Sequence, residues 1–311
     1  MPAQTLAQMN LMTFSPLLAG IRDEIIEESP MLARLPFVDF SGNAFAYDRE
    51  STLPSPSFYE VDEVIPSQNQ TVTQVTIALR MIAGATDVPG LSDTKDNVND
   101  IMANEVRQLS KGLLRTVQDK IIYGNNTNNP EEFNGLQALQ SATYRTSEGS
   151  SATGSALNFS NLDIAFDNVR PGMPDILALP RAIRRRISQF TTAANAGMVE
   201  QRPDEFGLMR QLYNGTQLAI NDFQVITETI ASDIFSAKTG GATASIHLIR
   251  YGYPDGLFGL QGSGGMQVVP IGELEDKDNK RMRVKWYLTI GLGSTRSMAT
   301  VDGITDAAAV A

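Results

Sequence analysis

The stretch that most constrains this chain is Ser92 to Gly124, SDTKDNVNDIMANEVRQLSKGLLRTVQDKIIYG. Val98, Ile101, Met102, Val106, Leu109, Leu113, Val117 and Ile121 recur in steps of three and four, which puts one apolar stripe along one side of a helix. The opposite side carries Asn99, Lys111, Arg115 and Asp119. Ser92 or Asp93 suits the N-cap, and Asp93, Asp96 and Asp100 sit where the helix dipole favours anions. Lys120 lies near the far end, and Gly124 is expected to take the left-handed C-terminal position. No proline interrupts the run. Roughly 30 residues at about 1.5 Å each span on the order of 45 Å. A compact globule of this size has a radius of gyration near ~20 Å. Such a helix therefore predicts an elongated body with a spine.

The segment before it has a different character. Phe45, Ala46 and Tyr47 begin a strand, and LPSPSFYEVDEVIPSQNQ follows, with Pro54, Pro56 and Pro66 and no helical period. TVTQVTIALRMI then alternates, Val75, Ile77, Leu79 and Met81 against Gln74, Thr76 and Arg80, as a half-buried strand does. Together they predict a long hairpin over residues 43–82 whose tip has little to bury. A ribbon with no core of its own is marginal in water. It becomes reasonable when it lies on a neighbouring subunit.

Elsewhere short helices and strands mix without a βαβ beat, so the expected class is α+β. Residues 1 to 13 read as an arm, followed by an amphipathic helix from Ser15-Pro16 that ends at Ser29-Pro30. Residues 145–156 read as a Gly/Ser/Thr-rich loop. Ser160 with Asp163 is expected to start a helix carried by Leu162, Ala165, Phe166 and Val169, broken at Pro171-Gly172. Asp175 to Leu179 reads as a buried strand, and Pro180 opens a helix to about Ala196. Further strands are expected at Gln217–Ile220, Phe223–Thr227, Ile246–Arg250 and Met282–Thr289, and a last one carries Ala299, Val301 and Ile304. Gly252–Gly259 reads as a turn, and TDAAAVA as a frayed tail. No internal repeat is present.

Chemistry is sparse. The chain has one histidine, His247, and no cysteine, so neither a metal cluster of His and Cys nor a disulfide can form, and a packed histidine is expected. Asp276 to Asn279 lacks the glycine and glutamate of a calcium loop, and Gly291-Leu292-Gly293 lacks the third glycine of a dinucleotide site. The sequons at Asn125, Asn158 and Asn214 read as chance. No cofactor, metal or catalytic residue is expected. The formal charge of -10 disfavours a general grip on nucleic acid, because phosphate binding runs on lysine and arginine. No apolar run approaches the ~20 residues of a membrane span, and no basic leader precedes an apolar core, so neither membrane nor secretion is indicated. The one basic concentration is Arg181, Arg184, Arg185 and Arg186. Its plain reading is a solvated face or inter-subunit strip; its sharper reading is a contact with nucleic acid or with the acidic group Glu60, Asp62 and Glu63 of a neighbour.

The order of these parts resembles the major capsid proteins of tailed bacteriophages, the Johnson fold shared with encapsulin shells. The carriers are Ile121-Ile122-Tyr123-Gly124-Asn125 leading to Phe133-Asn134-Gly135-Leu136, Pro174 to Pro180 with a basic helix behind it, Asn214 to Leu218 with Asn221-Asp222-Phe223, and Val284 to Leu288 running on to Gly303-Ile304. The resemblance implies an N-terminal arm and short helix over 1–44, an extended loop over 45–82, and a peripheral domain with the spine helix over 83–136. It further implies an axial domain over 137–272 and closing strands of the peripheral domain with a tail over 273–311. It implies a structural protein and no enzyme. Its partners would be copies of itself in pentamers and hexamers, forming an icosahedral shell around double-stranded DNA, with scaffolding, portal and decoration proteins beside it. The virion is its expected place, assembled in the host cytoplasm. An encapsulin with a protein cargo is the nearest alternative. Because no lysine precedes Lys95, a lysine–asparagine cross-link from the ribbon, which some relatives use, is not expected. The arm is expected to be too short for a fused scaffolding domain, which leaves a separate scaffold or a longer precursor that was cut, and the starting methionine favours the former.

Overall fold

The computed structural model describes residues 30–42, 44–52, 54–91, 101–149, 154–190, 199–203, 209–221, 224 and 243–310. The expected arm and first helix, the aspartates at 93, 96 and 100, the end of the basic helix near Ala196 and the strand at Phe223–Thr227 lie outside the described residues.

The spine is helix α2, Ile101–Tyr123, with α1 (Pro30–Arg34) ahead of it. Its 23 described residues run about 35 Å at ~1.5 Å per residue. The expected stripe is the buried one among the described residues: Leu113, Val117 and Ile121 are buried in one core against which Val106 and Leu109 pack, and Ile101 is buried in a smaller cluster with Val88. Gly124 departs from expectation, since it is absent from the glycines with positive φ. Its role is close approach. The Gly124 N–H donates to Lys120 O at 2.9 Å and Gly135 N–H donates to Gly124 O at 2.8 Å, so two glycine backbones cross beneath the helix end. A Cβ on either would collide with the Lys120 carbonyl. That crossing places Phe133, just before it, and Leu136, the first residue of the next helix α3 (Leu136–Leu139), in the core. Pro30 is the first residue of α1, where its missing N–H costs nothing.

Two sheets flank the spine. The first holds β1 (Phe37–Phe40), β4 (Arg80–Pro89), β11 (Leu257–Gly262), β12 (Gln267–Glu273) and β13 (Asn279–Leu292). Here β13 is the hub, paired with β11 and β12 along one edge and β4 along the other. The predicted alternation holds in β13: Val284, Trp286 and Leu288 are buried against α2, while Arg283 and Tyr287 point out. The second sheet has the order β5 (Arg145–Ser147), β14 (Met298–Thr305), β10 (Thr243–Ile249), β6 (Ile176–Leu179), β9 (Thr216–Ile220), β8 (Met209–Tyr213), β7 (Val199–Pro203). Strand β6 is apolar on both faces because both are covered. Ile176 and Ala178 join the spine core, and Leu177 and Leu179 join a second core under α4 (Phe159–Asn168) and α5 (Arg181–Phe190).

The third sheet is the ribbon, β2 (Ala44–Thr52) with β3 (Thr71–Ala78), in antiparallel register Phe45↔Ile77 and Tyr47↔Val75. The expected single strand through 82 is in fact two. It breaks at Leu79, leaves the ribbon and joins the first sheet as β4, and the inward phase reverses. Ile82 therefore packs inward, and Met81, expected inward, is exposed.

Other expectations are corrected by local chemistry. The cap of α4 is Asn158, whose side chain accepts from Ser160 N, not Ser160 itself. The loop at 145–156 contains β5, held parallel to β14. The tail is anchored: Val310 N donates to Leu157 O, and Phe159 N donates to Val310 O. By strand pairing, 257–273 group with β13, although they were expected with 137–272, and β14 lies in the other sheet, although it was expected with the closing strands.

Gly112 gives a test of the spine. It lies inside α2 with nothing within 4 Å of a built Cβ. Gly112→Ala is expected to stabilise the isolated chain by about 0.4–1 kcal/mol, through reduced freedom of the unfolded state. Denaturant midpoints measure this; no gain would mean that the helix is bent or frayed there.

Candidate subunit-contact surfaces

The ribbon is fixed at its root and bare at its tip. At the root, Tyr47 Oη donates to Leu292 O at 2.6 Å. The Arg49 guanidinium donates to the same carbonyl at 2.6 Å, to Gly293 O at 3.3 Å and to Tyr47 Oη at 3.2 Å. Burial raises the Tyr47 pKa, only partly offset by Arg49, so the phenol keeps its proton. Phe45 packs edge-on against Phe40 and Phe258, and Tyr253 packs edge-on against Phe258. An aromatic knot and a cation thus tie the ribbon to the end of β13.

At the tip the chain turns tightly. Glu63 N donates to Glu60 O at 3.2 Å, Glu60 N donates to the Glu63 carboxylate at 3.1 Å, and Asp62 has φ 81°. A positive φ at the third residue, with that hydrogen bond, marks a type II turn. Around it Phe58, Val61, Val64 and Ile65 are between 71% and 106% exposed. The expectation that the tip buries little holds for its own chain, yet the tip is rich in apolar side chains. Glu60, Asp62 and Glu63 are exposed among them. Large contiguous apolar exposure on a soluble chain marks a contact surface.

The basic helix is engaged within its own chain. Arg185 and Arg186 each pair with Asp306 at 2.7 Å, and Arg186 also donates to Asp306 O. The Arg186 hydrogen bond, with help from Arg185, holds the Asp306 carboxyl below its usual range. Arg181 is exposed and Arg184 is half-buried. The structure therefore brings Arg185 to the anchored tail, and does not bring Arg181, Arg184 or Arg185 to Glu60, Asp62 or Glu63 of the same chain. Asp306 is the partner that sequence reasoning missed, because a tail of small residues hides a single acid.

His247 is fully buried on β10. Its Nδ1 lies 2.9 Å from Thr300 Oγ1, and Thr300 donates to Gln140 Oε1 at 2.8 Å. The Gln140 amide is oriented by its own bonds to Ser141 O and Tyr144 O. The relay makes Nδ1 the donor, and burial pushes the imidazole pKa down to about 4, so it stays neutral. It is a packed histidine. Among the described residues no three of His, Cys, Asp and Glu gather as a metal would need.

The fold of a ribbon, a spine helix and two flanking sheets is the Johnson fold, the class of tailed-phage major capsid proteins and encapsulin shells. More particularly, residues 19–155 match the family model described as major capsid protein GP7, a span that includes the ribbon, α2 and the glycine crossing. The chain is similar to the holo-SrpI encapsulin complex of Synechococcus elongatus, with TM-score 0.69 and 13% identity over 100% of this chain and 99% of that one. It is also similar to Microbacterium phage Oxtober96, with TM-score 0.63 and 17% identity over 97% and 98% of the two chains. The capsid of Cyanophage P-SCSP1u gives TM-score 0.60 and 10% identity over 91% and 90%. Compared by sequence with curated proteins, the chain matches none.

Proposed function

We propose that this chain is the major capsid protein of a tailed phage, a structural subunit that assembles with copies of itself into an icosahedral shell. The observation that carries this reading is the ribbon: anchored by Arg49 and Tyr47 at its root, it holds Phe58, Val61, Val64 and Ile65 in solvent at its tip. The match of residues 19–155 and the phage-capsid neighbours support it. Pentamers and hexamers follow from head-to-tail contacts that close into rings when the rotation permits. Many modest contacts per subunit act together, so none need be strong alone. A charge of -10 suits a container for polyanionic DNA, which must not cling to its cargo. In this reading the ribbon is the extended loop, α2 with the five-stranded sheet the peripheral domain, and the seven-stranded sheet the axial domain. Scaffolding, portal and decoration proteins are its further partners, and assembly takes place in the host cytoplasm.

The encapsulin reading is kept because the SrpI structure covers the whole chain. Purified particles separate the two: packaged double-stranded DNA supports the phage reading, and an enclosed protein supports the other. Negative-stain images of the expressed chain test the shared premise.

Mature particles are expected to be held without covalent cross-links, since the ribbon has no lysine. Boiling them in detergent is expected to give one band at 33.8 kDa. A ladder of multiples would refute this.

A further inference from the structure

We propose that Asn214-Gly215, the turn of the β8–β9 hairpin, is a site of spontaneous modification at which the folded chain loses ammonia and gains a carboxylate. The inference does not depend on the shell reading. It starts from a dipeptide that the chain contains twice, at Asn134-Gly135 and at Asn214-Gly215. Asparagine before glycine is open to this reaction because no Cβ shields the glycine nitrogen. That nitrogen attacks the asparagine Cγ and passes its proton to solvent. The new C–N bond closes a five-membered imide, and the side-chain amide leaves as ammonia. Water then opens the ring at either carbonyl, giving aspartate or its β-linked isomer, isoaspartate.

The fold treats the two copies differently. At the first, Asn134 Oδ1 accepts from Asn126 N at 2.9 Å, and the attacking Gly135 N–H is held on Gly124 O at 2.8 Å. Gly135 is buried between Phe133 and Leu136 of the core. Ring closure there must break both bonds inside the glycine crossing. At the second, Asn214 and Gly215 are both exposed. They form a two-residue turn between the paired Tyr213 and Thr216, with φ 48° and 80°, which suits Asn-Gly. Neither the Asn214 side chain nor the Gly215 N–H has a hydrogen bond among the described residues. A Cβ built on Gly215 meets nothing within 4 Å, so the space beside its nitrogen is open. Exposed turns open at little cost, whereas core crossings open at a cost approaching global unfolding.

The two products act differently on the fold. Aspartate adds a charge and keeps the backbone. Isoaspartate runs the chain through its side-chain carboxyl, which lengthens the turn by one methylene. A two-residue turn fixes the register of its strands, so it has no slack for the extra atom. Both flanking residues are anchored. Tyr213 is fully buried, donates to Asp163 Oδ1 at 2.9 Å and lies with its ring centroid 5.8 Å from Phe159 and 5.5 Å from Phe166. Thr216 is buried and donates to Pro174 O at 3.0 Å. The isoaspartate product therefore strains the pairing of β8 with β9 and pulls on the second core under α4.

The test is incubation of the full, folded chain at mildly alkaline pH, followed by digestion and peptide mapping by mass spectrometry against an unincubated sample. The peptide carrying Asn214 is expected to convert from amide to acid roughly tenfold faster, or more, than the peptide carrying Asn134. In concentrated guanidinium chloride the two are expected to convert at similar rates, because the fold no longer separates them. Isoaspartate is read by methyl transfer from a protein isoaspartyl methyltransferase. The converted wild type is expected to melt below Asn214→Asp, which carries the charge without the added methylene. Equal conversion at Asn134 and Asn214 in the folded chain overturns the proposal. So does an intact Asn214 after a time in which the denatured chain has lost that amide.

Discussion

Replacing Phe58, Val61, Val64 and Ile65 together by serine is expected to leave the chain folded and stop it assembling. All four are bare in the single subunit, so their removal takes no contact from its core. Surface changes away from special features usually stay within about ±0.5 kcal/mol of stability. Buried on a neighbour, each would contribute on the order of 1.5–3 kcal/mol. Even a third of that, summed over four positions, is about 2–4 kcal/mol per contact, and about 1.4 kcal/mol is tenfold in affinity. A shell repeats the contact at every subunit, so the loss compounds. Thermal melting is expected to match the wild type, while sedimentation shows only small species. Shells forming at the wild-type concentration would reduce the ribbon to an ordinary surface hairpin.

The tip is suited to such a contact because it is stiff. Pro54, Pro56 and Pro66 restrict the backbone, and the turn at Glu60–Glu63 is closed by two hydrogen bonds. Less conformational freedom is then lost on docking, which is how preorganised segments gain affinity. The root clamp acts in the same direction, since Arg49 and Tyr47 fix where the ribbon leaves the body.

Periodic features were the legible ones. The stripe of α2 and the alternation of β13 are both written in residue spacing, and both are buried as spaced. What escaped depends on contacts distant in sequence. TVTQVTIALRMI reads as one strand because its alternation never pauses, yet pairing with β13 captures it from Arg80 onward and reverses its phase. Gly124 looks like a helix-ending glycine, but Gly135, eleven residues later, decides its conformation by crossing it. QVVPIGE escaped because Pro270 reads as a strand breaker, and on β12 it occupies an edge strand, where a missing donor is tolerated. Of the surface residues, Glu60, Asp62 and Glu63 are exposed at the ribbon tip. Arg185 was legible as part of the basic helix, but its pairing with the distant Asp306 was not.

Gly293→Val is expected to abolish folding of the soluble subunit, and Gly293→Ala to destabilise it by at least about 3 kcal/mol, the upper end of ordinary overpacking. Gly293 follows β13 at the point where three elements meet. Its N–H donates to Gly256 O at 3.0 Å, and the neighbouring Ser294 N donates to Asp255 O at 2.9 Å. Its carbonyl accepts from Arg49 of the ribbon root. A Cβ built here would fall on the Pro254 carbonyl oxygen and within 2.9 Å of the Asp255 Cα. Both obstacles are backbone, so no side chain can rotate away. Relief requires moving the 254–256 turn, which breaks its two hydrogen bonds to β13's end and displaces Tyr253 and Phe258 from the aromatic knot that seats the ribbon. Packing and ribbon placement should therefore fail together. Denaturant midpoints on Gly293→Ala measure the first, and protease cleavage near residues 44–52 measures the second. Gly172, where a built Cβ meets nothing, is unsuitable as a control because its φ is positive; Gly112→Ala is the proper one. If Gly293→Ala unfolds at the wild-type midpoint, the turn is not pressed against β13, and the anchoring of the ribbon through Leu292 and Gly293 would need another basis.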